Sequence, residues 1–289
     1  KKELSPSFTE EKKLTIVDQL NELLESLWKA SLVDDLCRST VRFPGLIDAS
    51  DNEFADDFRT QSLGTRMARI GGIFDNDNIV YVVGGAGYGK SLFLKLLSVS
   101  PEIINGFDEK PRLIIRGDIK RLIRSDGTFK PMSEFIRECF VNGSLKSENE
   151  VKDDFLTKCL KAGRCLVLLD ALDEVGNDQR TELHGLIISY FENDYPNNKV
   201  CITSRERGFI PFENITCYYI TPIEKLHVEE YVDNFIRLGK FSPDEKERFV
   251  SQANVLVENG FVKGCLTLSL LLAIYKNEHE LPTNKVLLY

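Results

Sequence analysis

The chain has 289 residues, with 37 Lys and Arg against 45 Asp and Glu, a formal net charge of -8, 42% hydrophobic and 10% aromatic residues. That composition excludes disorder as the main state, and the length allows one large α/β domain with an appendage, or two domains. The acidic balance argues against a general nucleic-acid surface, which needs clustered Lys and Arg, and the longest nearly apolar run, Cys265 to Tyr275, falls far short of the roughly 20 residues of a membrane span.

Residues 11 to 36 place Leu14, Val17, Leu20, Leu24, Leu27 and Trp28 at three- and four-residue steps, which predicts an amphipathic helix ended by Phe43-Pro44-Gly45. The acidic stretch Asp48 to Asp57 reads as a connection, with a boundary near residue 60. A helix is expected over Ser62 to Gly71, then a β-branched run from Asn78 to Val83 that predicts a strand buried on both faces. Further strands are predicted at Arg112 to Ile115, Cys165 to Leu169, Val200 to Thr203 and Cys217 to Ile220. Helical spacing lies between them at Ser91 to Leu97, Met132 to Phe140, Val151 to Leu160 and Arg180 to Phe191. Alternation of this kind implies right-handed crossovers and a parallel sheet covered by helices on both faces. From Pro222 onward the pattern is helical alone: His227 to Leu238, Pro243 to Glu258 and Leu266 to Tyr275. The expected organisation is a helical linker or docking segment at 1–60, an α/β domain at 61–222 and the start of a small helical domain at 223–289.

Seven cysteines without a C-x-x-C pair read as reduced, cytoplasmic usage, and the scattered His184, His227 and His279 give no zinc spacing. No signal-peptide pattern opens the chain, and residue 1 is Lys, so the sequence reads as a fragment.

Gly84-Gly85-Ala86-Gly87-Tyr88-Gly89-Lys90-Ser91 matches the G-x-x-x-x-G-K-[ST] pattern of the Walker A phosphate loop. Its setting, between a buried strand and an amphipathic helix, is the one this motif needs. The four glycines allow positive φ and close approach to a polyphosphate, whose charge meets inward N–H groups and the helix N-terminus. Lys90 is expected on the β- and γ-phosphates, Ser91 as a Mg2+ ligand, and the nucleotide-binding set extends to Leu92.

Cys165 to Leu169 is an apolar strand closed by Asp170, the Walker B form. Magnesium requires hard oxygen ligands, and Asp170 is expected to hold it through water from the strand next to the loop. Asp173 and Glu174 follow within one turn; three carboxylates this close repel unless a cation or proton shares the site. Glu174 is the candidate to orient and deprotonate a water, with Asp173 as helper or structural hydrogen-bond acceptor. Both acids are also placed to cap the next helix.

Leu168-Leu169-Asp170-Ala171-Leu172-Asp173-Glu174 resembles the extended Walker B of NACHT-type STAND ATPases, in which Gly is usual where this chain has Ala171. Lys199 to Arg205 is similar to the family's sensor 1 strand, which implies that Arg205 faces the γ-phosphate; an ordinary surface ion pair is the other reading of that arginine. The tail Leu281 to Tyr289 looks like the segment that closes the family's first helical domain, and Cys265 stands where many members carry a nucleotide-contacting proline. The resemblance covers roughly residues 60 to 289 and implies a switch that binds ATP or ADP with Mg2+, hydrolyses ATP slowly, and self-associates on activation. The helical segment after Pro222 would be its lid, and the effector and sensor domains would lie outside these residues. Among STAND proteins, overall sequence character favours the bacterial antiviral branch. Lys90, Asp170, Asp173, Glu174 and Arg205 are the implied catalytic set. An AAA-like mechanical ATPase and a non-hydrolysing nucleotide-binding scaffold remain as alternatives.

Overall fold

A computed structural model of the chain describes residues 46–48, 67–68, 72–99, 104, 113–143, 149–207, 209, 215–237 and 239–282. The helix expected at 11–36 and the tail beyond residue 282 lie outside the described residues. The chain divides into two compact units between Thr221 and Pro222.

In the first unit, strands β1 (Leu46–Asp48), β2 (Met67–Ala68), β3 (Ile79–Val83), β4 (Leu113–Asp118), β5 (Cys165–Asp170), β6 (Lys199–Ser204) and β7 (Thr216–Ile220) form one sheet in the order β2-β1-β7-β3-β6-β5-β4. From β7 to β4 all pairings are parallel, in the registers Val83↔Ser204 and Asp118↔Asp170. This is the α/β fold expected, with an antiparallel extension in which β1 pairs with both β7 and β2. Met67 and Ala68, expected within a helix, instead pair with Ile47 and Leu46. An edge strand two residues long leaves no period-two pattern by which to tell it from helix.

Helix α1 (Lys90–Val99) follows β3; α2 (Met132–Gly143) and α3 (Asn149–Lys161) join β4 to β5; α4 (Asn177–Ser189) joins β5 to β6 and runs on into a π turn, Tyr190–Asp194. The chain moves outward from β3 to β4 and then back through β5 to β6. Crossovers of one hand that travel in opposite directions place their helices on opposite faces. One face of the sheet accordingly buries Tyr81, Val83, Val167, Leu169 and Ile202 against Phe135, Ile136, Leu160, Leu183 and Ile187 of α2, α3 and α4. The alternate residues Val80, Val82, Leu166, Leu168 and Cys201 are fully buried as well, and α1, which carries the buried Phe93, Leu94 and Leu97, packs against β5 and β6. Gly117 permits the close approach of α2 to β4, since a Cβ there would lie 2.5 Å from Cys139 Sγ. At the amino edge of the sheet the buried Asn198 accepts from Cys165 N–H at 2.9 Å and donates to the Leu160 and Tyr195 carbonyls at 2.9 and 2.7 Å. A buried amide satisfied in this way ties the end of α3, the start of β5 and the chain after the π turn together.

The second unit holds helices α5 (Lys225–Arg237), α6 (Lys246–Glu258, preceded by a 3-10 turn at Pro243–Glu245) and α7 (Cys265–Glu278) around Phe235, Phe241, Phe249, Leu268, Leu272 and Tyr275. Lys246 joins α6 to α5 through Asp233 at 2.7 Å and Glu229 at 3.1 Å. Gly264 is the N-cap of α7, so Cys265 opens that helix, and burial pushes its thiol up to about 11. Its carbonyl accepts from Ser269 Oγ, which also bonds the Tyr231 hydroxyl at 2.5 Å. Among the described residues no helix is long and apolar enough to cross a membrane.

Candidate functional site

Gly84, Asp118, Asp170 and Arg205 stand at or just past the carboxyl ends of β3, β4, β5 and β6, the edge at which open α/β sheets bind ligands. The loop begins where β3 stops: Gly84 N–H donates to the Ser204 carbonyl at 3.2 Å, and Tyr88 N–H closes a turn on the Gly85 carbonyl. Gly87 and Gly89 have φ of 75° and 103°, so they are the two glycines of the loop that need the left-handed region. Gly85 is required for space instead, because a Cβ there would lie 2.6 Å from the Tyr88 ring. Ala86 at the loop tip is exposed, Ser91 is exposed in the first turn of α1, and Leu92 follows partly buried.

Lys90 is the first residue of α1, and its ammonium donates to the Gly84 and Gly85 carbonyls at 2.7 and 3.0 Å, folding back across the loop. Burial lowers its pKa, and the charge of Arg205 adds to that; Asp173 foremost, then Asp170 and Glu206, oppose it. Lys90 thus lies within electrostatic reach of Asp170, of Asp173 just past β5 and of Arg205 just past β6, and the structure brings these sequence-predicted residues to one place.

One expectation needs correction. Asp170 does not lie on the strand next to the loop: β6 pairs with β3 on one side and β5 on the other. The intervening strand supplies what the sequence reading missed, a mooring for the carboxylate. Thr203 Oγ donates to Asp170 Oδ1 at 2.5 Å and accepts from Ala171 N–H at 3.1 Å. Ala171 has φ 66° and ψ 50°, a left-handed conformation that turns the chain sharply after the strand and explains why Gly suits this position.

Each of the three crowded carboxylates has its own partner. Asp173, with a side chain only 10% exposed, accepts the Arg205 backbone N–H on Oδ1 at 3.0 Å and Arg205 Nε on Oδ2 at 2.9 Å. Glu174, more open, lies 3.6 Å from the Lys120 ammonium, beyond the end of β4. Neither acid caps α4, whose N-cap is Gly176. Arg180, in the first turns of α4, instead fixes the turn from behind by donating from Nη2 to the Asp173 carbonyl at 2.7 Å and from Nε to the Val175 carbonyl at 2.8 Å. Thr203 was visible in the Thr-Ser-Arg motif, whereas nothing in the sequence singles out Lys120 or Arg180.

The donors suit a magnesium nucleotide. Magnesium keeps several waters and takes one or two protein oxygens beside the phosphates, so it needs no protein cage. Asp170 can supply such an oxygen: its Oδ2 takes no hydrogen bond among the described residues, and these contain no cluster of three or more His, Cys, Asp or Glu able to hold a metal alone. Strand order, loop and acidic strand end together make this the α/β fold of P-loop nucleoside triphosphatases.

No protein-family model and no curated protein sequence matches the chain. Similar solved structures include a DNA replication initiation factor, at 13% identity over 69% of this chain and 55% of that one, with a TM-score of 0.40. The Aeropyrum pernix ORC2 protein, solved in ADPNP and ADP complexes, is 12% identical over 73% of this chain and 60% of its own, with a TM-score of 0.41. Domain III of the Thermotoga maritima replication initiation protein DnaA is 11% identical over 73% of this chain and 82% of that one, also at 0.41. The chain spans little more than half the length of the first two. At such identities the reading of the site rests on its own residues.

Proposed function

We propose that this chain is a STAND-type ATPase switch module that binds ATP or ADP with Mg2+ and hydrolyses ATP slowly. Its nucleotide state would govern self-association and the activation of an effector outside these residues, in antiviral innate immunity. The observation that carries the reading is the convergence of a complete phosphate loop with Asp170, Asp173 and Arg205 at the carboxyl edge of one sheet.

In this reading the N–H groups from Gly85 to Ser91 other than that of Tyr88, at the N-terminus of α1 and before it, bind the phosphates, and Lys90 leaves the Gly84 and Gly85 carbonyls to pair with them. Bound magnesium, held through Ser91 and Asp170, would neutralise charge on the β- and γ-phosphate oxygens. Thr203 keeps Asp170 in place for that task. Glu174 holds and deprotonates the attacking water once Lys120 yields its carboxylate. Arg205 meets the terminal phosphate with charge-assisted bonds, which makes the site sensitive to the difference between ATP and ADP.

Glu174→Gln tests the chemistry. The variant is expected to bind Mg-ATP as the wild type does and to lose ATP turnover by about 10² to 10⁴, measured as phosphate release in single-turnover experiments. Unchanged turnover would remove Glu174 from the mechanism. A wild type that binds Mg-ATP tightly without releasing phosphate would be the non-hydrolysing scaffold instead.

A further inference from the structure

Asp173 lies beside the reacting groups and yet is poorly placed to act as a base. Both of its oxygens are engaged by one residue, Oδ1 by the Arg205 backbone N–H and Oδ2 by Arg205 Nε. Its side chain is 10% exposed while that of Arg205 is 53% exposed. The carbonyl of the same Asp173 is held by Arg180, which fixes the acid from behind. A guanidinium is a rigid planar fork, so a carboxylate that grips its Nε edge sets the plane of the whole group. The Nη nitrogens take no hydrogen-bond or ion-pair partner among the described residues, in a side chain that is 53% exposed.

From this geometry we infer that Asp173 is a positioning residue for Arg205, and that it sets how strongly the site prefers a nucleoside triphosphate over a diphosphate. It holds the Nε edge and the adjoining backbone of Arg205, so that the Nη edge is presented, already ordered, to a terminal phosphate. Two consequences follow from pre-organisation. The triphosphate gains because the arginine need not be ordered during binding. The diphosphate, lacking the group that the Nη edge reads, gains nothing.

The inference rests on the nucleotide-binding reading, and simple electrostatics opposes it in sign. Removing a negative charge near bound phosphates should tighten both nucleotides, whereas loss of a positioning residue should weaken the triphosphate alone. Asp173→Asn keeps the shape and one acceptor oxygen but turns the Nε contact into donor against donor.

The test is calorimetric titration of Mg-ADP and of the magnesium complex of the β,γ-imido analogue of ATP into wild type, Asp173→Asn, Arg205→Gln and the double variant. Arg205→Gln is expected to lower the triphosphate preference about 10-fold or more, as for loss of a charge-assisted bond. Asp173→Asn should lower it about 5-fold or more with Mg-ADP affinity held within about 2-fold, and the double variant should show no further loss. Tighter binding of both nucleotides by Asp173→Asn, or losses that add in the double variant, overturns the inference. Should Asp173→Asn fail to fold, Arg205→Lys decides: it keeps the charge and the backbone bond but lacks Nε, and a full triphosphate preference in that variant overturns the inference equally. An unchanged preference in Arg205→Gln removes the sensor role of Arg205 itself. Loss of nucleotide binding from the wild type would instead remove the proposed function, so the two failures are distinguishable.

Discussion

The phosphate loop and the acidic turn occupy the ends of two strands in one sheet and are held in opposite ways. The loop is largely self-contained: Lys90 closes on the Gly84 and Gly85 carbonyls, Tyr88 N–H bonds the Gly85 carbonyl, and the Gly84 N–H bond to the Ser204 carbonyl anchors it to another strand. The turn from Asp170 to Val175 depends on partners outside itself, with Thr203 and Arg205 more than thirty positions away in sequence, Lys120 from beyond the end of β4 and, nearer by, Arg180 from the first turns of α4. A motif built from local backbone conformation keeps its geometry wherever a strand and a helix flank it. A turn built from long-range side-chain contacts takes its geometry from the rest of the fold, and single substitutions far from the motif should disturb it.

Arg180→Ala offers the strongest way to break that contrast. It leaves the Asp173 and Val175 carbonyls without their charged donor and is expected to cost about 2 kcal/mol of stability, measured by urea unfolding. Mg-ADP affinity, which depends on the loop, should stay within about 3-fold while ATP turnover falls with the misplaced turn. Equal losses in both would show that loop and turn are a single unit.

A smaller effect sharpens the link between the two regions. Tyr81, on the strand that feeds the loop, lies 2.6 Å from Nδ1 of His184, on the helix that follows the acidic turn. Burial lowers the pKa of His184 from its ordinary 6.5 to about 4. The unfolded chain therefore binds this proton first as pH falls. The stabilisation is fully present above pH 6.5 and is lost on the way down to about pH 4. For this partly exposed ring the loss between pH 7 and pH 5 should be about 1 kcal/mol. His184→Gln should flatten that part of the pH–stability profile; an unchanged slope would show that other groups carry it.

The mildest change acts in the opposite direction. Ala171 sits at φ 66°, where a Cβ is unfavourable, so Ala171→Gly should raise stability by about 0.5 to 1 kcal/mol, net of the entropy of the unfolded glycine. Thermal unfolding would read it, and a lower melting temperature would contradict a strained turn.

Much of this architecture was legible in the sequence for the same reason that the loop was. Val80-Tyr81-Val82-Val83 and Leu166 to Leu169 are continuous apolar runs because those strands are covered on both faces, and the helical spacing between strands reports the crossovers. The helices of the second unit were legible from their three- and four-residue periodicity. Met67–Ala68 was not, since two residues carry no period. The place of β6 between β3 and β5 was not either, because strand order is a property of packing rather than of local composition. The acids of the turn could be named from the sequence, but their division of labour depends on Thr203, Arg205 and Lys120, which reach them only through the fold.

The central claim is that the loop binds a magnesium nucleotide through its own residues, and calorimetric titration of Mg-ATP into the wild type and Lys90→Ala tests it most directly. The account predicts one site in the wild type and binding at least about 100-fold weaker in the variant, as befits loss of a charged phosphate contact, with the circular dichroism of the sheet and helices unchanged. A wild type that does not bind Mg-ATP, or a Lys90→Ala variant that binds it equally well, would contradict it.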